Sequence, residues 1–204
     1  MTTSMSEYMK RARQLYRRYR RDTEGATAVE FGIVAVPFLA LLFGILELAL
    51  IFFIGAAMSQ SVSDTGRLVR VGAFQGCGQA SEFKALVCDG MKDLMGCQKN
   101  LRIDLMTGSD FQSVSIVDPG DGGLDPDDPD KDVDDGTYAN TGPSDPVILT
   151  ATFYYPMALP NFMTRLESIP GSGRHVITAT TAFRNEPFPS GATCSPTLSA
   201  KLGG

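Results

Sequence analysis

From Phe31 to Ile54 the chain runs for 24 residues with a single charge, Glu47. As a helix this stretch rises roughly 36 Å, enough to cross a ~30 Å hydrocarbon core with some tilt. It is too long for the apolar core of a secretory signal peptide, and no small-residue cleavage site follows it. Beyond it, Ile54, Met58, Val62, Thr65 and Val69 recur at helical spacing, with Ser59, Gln60, Ser63, Asp64 and Arg67 on the other faces. The pattern predicts one helix of about 45 residues, starting near Thr27, apolar in its first half and amphipathic in its second, and ended by Gly72 and Gly76–Gly78.

A second helix is expected over 81–95, with Phe83, Val87, Met91 and Leu94 as its apolar stripe and Ser81 as its cap. The period then changes from helical to alternating. LRIDLMT (101–107) reads as a half-buried strand and SVSIVD (113–118) as a candidate second. PVILTATFYYP (146–156) is the strongest strand, and HVITATTAFRNEPF (175–188) the other strong one. Residues 119–146 are dense in Asp, Gly and Pro and read as a loop. The expected fold class is α+β: a long N-terminal helix, a short helix and a small antiparallel sheet. The expected parts are a basic head over 1–25, a span over 26–57, an amphipathic continuation over 58–76, a folded domain over 77–188 and a loose tail over 189–204.

Charge sharpens this plan. The 204-residue chain carries −5, yet residues 1–24 hold seven basic and three acidic groups, leaving −9 on the rest. Basic residues abutting an apolar span stay cytoplasmic, so the N-terminus is expected inside and the domain outside. The acidic remainder argues against nucleic acid as a partner. Cys77, Cys88, Cys97 and Cys194 all lie beyond the span. An even number in an oxidising compartment suggests two disulfides, with three possible pairings, against the plainer reading of buried thiols.

Little in the sequence carries catalytic chemistry. The single histidine, His175, stands alone, and no nucleophile elbow, zinc-protease or phosphate-loop motif occurs. No enzyme and no cofactor are expected. Asp130, Asp132 and Asp134 have the spacing of a calcium loop. Asp135 stands where the turn glycine belongs and Thr141 where the bidentate glutamate belongs, so a solvated acidic loop is the preferred reading and no metal site is expected.

The residues at the head of the span raise a different chemistry. Gly25-Ala26-Thr27-Ala28-Val29-Glu30-Phe31 resembles a type IV prepilin signal: a basic leader, a glycine, then a glutamate at the fifth position of the mature chain before an apolar helix. More narrowly, RRDTEGATAVEFGIVAVPFLALLFGILELALIFF resembles the TadE-like family, minor pilins or pseudopilins of the tight-adherence (Tad/Flp) pilus. The Glu30–Phe31 pair, the internal Glu47, DTGRLVRVGAFQ after the span and AFRNEPF (182–188) share in the likeness. It is most specific over about 45 residues and extends to the domain in pattern only.

The resemblance implies cutting by a prepilin peptidase between Gly25 and Ala26. It implies an assembly role for Glu30 and Phe31. It implies partners among sister pseudopilins, the major pilin and the inner-membrane assembly platform. It also implies a bridge between Cys88 and Cys97, through a C-x8-C arrangement shared with such sequences, and beside it a Cys77–Cys194 bridge is expected, tying the tail to the end of the long helix. The expected location is the bacterial inner membrane, single-pass, with a periplasmic domain. Physical readings run alongside. Gly25 leaves a scissile bond unhindered, and a carboxylate in a low-dielectric helix needs a partner. Glu30 can also be an ordinary acid at a helix N-terminus. Glu47 can snorkel, protonate or meet another helix. An uncleaved anchored binding module, an anchored hydrolase with a pocket near His175, and a type II secretion pseudopilin are the rival readings.

Overall fold

The computed structural model describes residues 23–74, 80–114, 118, 120, 122–124, 132–160 and 164–189. Helix α1 is Thr23–Arg70, α2 is Ala80–Gly90 and α3 is Cys97–Asn100; strands β1, β2 and β3 are Leu101–Thr107, Pro146–Pro156 and Arg174–Arg184. This is an α+β fold with a long N-terminal helix and a three-stranded antiparallel sheet in the order β1-β2-β3. The chain divides into two units, one ending at Ile45 and the other beginning at Leu46.

In the first unit every large apolar side chain described is exposed, from Val29 and Phe31 to Ile45. The half-exposed positions are the small residues Gly32, Ala35, Ala40 and Gly44. Helix α1 runs through Pro37 without interruption. A helix that is apolar all round requires apolar surroundings. It is the one candidate span among the described residues.

The second unit is built on the inward stripe of α1. Ile51, Ile54, Met58, Val62, Thr65 and Val69 are buried, while Ser59, Gln60, Ser63, Asp64 and Arg67 stay in solvent. The stripe lies on one face of β2 and β3. Gly66 permits this, because a Cβ there would meet the Phe183 ring at 3.3 Å and Leu149 Cδ2 at 3.6 Å. Strand β2 is central and buried along its length except at Ile148 and Pro156. Its alternate residues Val147, Leu149, Ala151, Phe153 and Tyr155 join Leu101, Ile103 and Leu105 of β1 in one core with α1 and α2.

Several boundaries differ from the expected ones. Helix α1 already includes Thr23, and it ends at Arg70, before Gly72. The second helix starts at Ala80 and stops at Gly90, short of Met95, so Ser81 lies inside its first turn with its hydroxyl on Glu82 rather than on a cap. The reason is the reversal that follows. Lys92, Asp93 and Met95 take left-handed backbone angles, and Cys88 and Cys97 are disulfide-bonded with Cα atoms 5.5 Å apart. A straight helix would hold those atoms roughly 13 Å apart.

Within the candidate strand 113–118, Ser113, Val114 and Asp118 are not strand, and 115–117 lie outside the described residues. The last strand closes at Arg184: Asn185 N–H still donates to Asp145, opposite it in the ladder, and the chain then turns away as Glu186 N–H donates to Arg70. The 119–146 segment is not wholly a loop. Pro146 opens β2, and residues 135–139 run along the free edge of β1: Ile103 N–H donates to Asp135, Leu105 N–H to Thr137, and Ala139 N–H back to Leu105. This covers an edge that would otherwise present unpaired backbone groups.

Candidate functional site

Gly25 lies in the first turns of α1, exposed, and a Cβ there would meet nothing within 4 Å. Glu30 and Phe31 follow on the same helix, both exposed, Phe31 at 74%. Of Ala26 only its place in the helix is described. Gly25, Glu30 and Phe31 lie in the first turns of the helix, where polar sequence gives way to apolar.

Glu47 is placed differently. Its side chain is 3% exposed, although residues 46 and 48 on either side face outward. Its Oε1 accepts the backbone N–H of Ala158 at 2.7 Å and of Leu159 at 3.2 Å, just past the end of β2. Oε2 is buried with no partner among the described residues. The carboxylate therefore caps the chain as it leaves β2. Tyr155 sits nearby, its hydroxyl pushed up in pKa by burial and, to a lesser degree, by the charge of Glu47.

Two further polar arrangements hold the sheet in place. Arg102 donates from Nε and Nη2 to the two carboxylate oxygens of Asp104, at 2.9 and 3.1 Å, and Thr137 N–H donates to the same carboxylate at 3.0 Å. Asp104 is 2% exposed. The bidentate bond raises the Arg102 pKa above its ordinary value, against the lowering effect of burial. On the helix side, Lys84 is buried with its ammonium 2.9 Å from Asp135, on the segment that edges β1. Both pairs went unread in the sequence. The i, i+2 spacing of Arg102 and Asp104 in a strand was the available signal, since such residues share a face.

His175, the second residue of β3, has Nδ1 2.5 Å from the carbonyl oxygen of Leu166 and 3.1 Å from Ser168 Oγ. A carbonyl has no proton to give, so Nδ1 carries the hydrogen and cannot take one from Ser168. The hydroxyl of Ser168 also receives Val176 N–H. The pair secures a turn and activates no nucleophile.

Of the acidic triplet, Asp130 lies outside the described residues, Asp132 is exposed, and Asp134 approaches Arg102 at 4.0 Å. No group of potential metal ligands occurs among the described residues. Cys77 and Cys194 also lie outside the described residues.

The matched part of the chain is its helix. Residues 25–67 match the family model for TadE-like protein. The chain carries a TadE-like domain. That domain runs from Gly25 along α1 to within one turn of its end. The matched segment contains Gly25, Glu30, Phe31 and Glu47. The sheet lies outside the TadE-like match. No curated protein and no solved structure matches the chain.

Proposed function

We propose that the chain is a minor pilin-like subunit, a pseudopilin, needed to build a Tad/Flp-type pilus. The carrying observation is that the TadE-like match coincides with a helix whose first unit leaves every large apolar side chain described uncovered. Such a surface suits a bilayer first and a bundle of like helices later.

Seven basic residues precede Gly25 and would hold the Gly25–Ala26 bond at the cytoplasmic face. A prepilin peptidase meets no side chain at Gly25. Cutting there removes the basic leader and leaves an amine on Ala26. The carboxylate of Glu30, one turn on and exposed, is the natural partner for the amine of a neighbouring subunit, with Phe31 beside it. Sister pseudopilins, the major pilin and the inner-membrane assembly platform are the partners of this reading. The bacterial inner membrane is its site, with the sheet domain in the periplasm. The oxidising compartment suits the Cys88–Cys97 bond, and a Cys77–Cys194 bond belongs to the same proposal.

Two measurements test it. Sequencing the N-terminus of the protein from piliated cells should give Ala26, and Gly25→Leu should accumulate precursor; native protein starting at Met1 or Thr2 removes the processing step and favours an uncleaved anchored module. Deleting the gene should abolish or sharply reduce pili, and unchanged piliation rejects the assembly role.

A further inference from the structure

The outward face of α1 changes character later than Glu47 suggests. From Leu46 to Ala57 every exposed position is apolar: Leu46, Leu48, Ala49, Leu50, Phe52, Phe53 and Ala56. From Ser59 onward the exposed positions are Ser59, Gln60, Ser63, Asp64 and Arg67, all polar. The inward stripe keeps apolar core residues on both sides of this boundary, Ile51 and Ile54 before it and Met58, Val62 and Val69 after it, so packing against the sheet does not explain the switch. Phe52 is 75% exposed and Phe53 60%. Beyond these and the neighbouring leucines, only Val71, Met95 and Phe111 are exposed large apolar residues among those described in the second unit. Exposed apolar area is therefore concentrated at one place on the folded domain.

Length says what surrounds it. About 20 helical residues cross the ~30 Å hydrocarbon core. Counted from Phe31, the twentieth residue is Leu50. The remaining apolar face, to Ala57, rises roughly 10 Å further, enough for a tilted helix to cross the ~5–8 Å headgroup layer on one side of a bilayer. At that level α1 already carries the sheet domain. Glu47 is bonded to the 158–159 backbone, Ile51 and Ile54 are in the core, and Gly55 lies against Ile177. The turn that Glu47 caps, Met157-Ala158-Leu159-Pro160, has no charged or polar side chain, and Ala158 and Pro160 are exposed.

We propose that this end of the sheet domain, formed by Leu46–Ala57 of α1 and the 157–160 turn, is a lipid-docking surface. It sinks into the acyl–headgroup boundary of the outer leaflet. The water boundary falls at Ser59. The Glu47 carboxylate, lying within the lipid-covered depth, is tolerated because backbone N–H groups of its own chain meet Oε1. The inference rests on the membrane reading of α1.

The chain has no tryptophan, so single-tryptophan variants report depth without background. Full-length Val36→Trp, Phe53→Trp, Ala158→Trp and Ser63→Trp proteins would be reconstituted in phosphatidylcholine vesicles. One lipid set would be brominated near the headgroup end of the chain and another near the methyl end. Val36→Trp should be quenched most by the deep label. Phe53→Trp and Ala158→Trp should be blue-shifted and lose more emission to the shallow label, while Ser63→Trp should be red-shifted and unquenched. Phe53→Trp or Ala158→Trp behaving like Ser63→Trp would overturn the docking surface while leaving the span intact. An unquenched Val36→Trp would overturn the membrane reading and this inference together. In producing cells, a photo-crosslinking residue at Phe52 should yield lipid adducts; predominantly protein adducts would assign the face to a partner chain and reject lipid.

Discussion

Glu47 Oε1 lies 2.7 Å from the amide nitrogen of Ala158, a bond between residues 111 positions apart. It joins the start of the domain-bearing part of α1 to the end of the central strand. A second bond to Leu159 N–H makes one carboxylate oxygen the acceptor for two successive backbone donors. The acid in the apolar run thus has a partner within its own chain.

Truncating that acceptor should be costly in a defined place. Glu47→Ala leaves two donors without their partner, and hydrogen bonds to a charged group contribute about 1.5–3 kcal/mol. The urea midpoint of the detergent-solubilised chain should fall accordingly, and amide exchange at Ala158 and Leu159 should accelerate. Glu47→Gln keeps an acceptor oxygen and should be milder. Unchanged exchange at both amides in Glu47→Ala would contradict the cap.

Arg102 and Asp104 form the second testable pair. Removing only the cation, as in Arg102→Met, leaves a carboxylate that is 2% exposed with one backbone donor, from Thr137. Breaking one side of a buried ion pair costs about 3–5 kcal/mol. Replacing both, Arg102→Met with Asp104→Leu, should recover much of the loss, since no charge is then stranded. Denaturation by urea distinguishes them. Equal destabilisation of the single and double variants would show that packing, not the charge, is at stake.

Gly66 tests the helix–sheet contact. Gly66→Leu places a branched side chain where Phe183 and Leu149 already stand at 3.3 and 3.6 Å from a Cβ. Overpacking of this kind costs about 1–3 kcal/mol. The melting temperature should fall although leucine favours a helix more than glycine does. A rise would show that the helix can shift away from the sheet without loss.

Glu30 tests assembly apart from processing. Its side chain is exposed, so Glu30→Gln has no intramolecular contact to lose among those described. Cleavage after Gly25 should be near normal, while pili become fewer and crosslinks to partner subunits weaken. An unpaired buried charge partner costs about 3–5 kcal/mol, a hundredfold or more in association. Glu30→Asp should be intermediate. Gel mobility and electron microscopy on the same cells read both effects. Wild-type piliation from Glu30→Gln would reduce the residue to an acid at a helix start.

Periodicity alone determined the main elements. The 3.6-residue recurrence of Ile54, Met58, Val62, Thr65 and Val69 determined which side of α1 is buried, and alternation in 101–107 and 146–156 determined two strands. These are properties of neighbours along the chain, and local geometry suffices to read them. The TadE-like match over residues 25–67 was legible for the same reason, because it is carried by a continuous local string. The tertiary structure decided what depends on distant partners. The helical stripe through Met91 and Leu94 looked continuous, yet the Cys88–Cys97 bond requires the chain to reverse after Gly90. Asp135 to Ala139 carry no strand pattern, yet they edge β1, because the unpaired backbone of Ile103 and Leu105 finds donors and acceptors there. Glu47 reads as an acid within a span; only the fold brings the amides of Ala158 and Leu159 to it, and a backbone N–H leaves no trace in the amino-acid sequence.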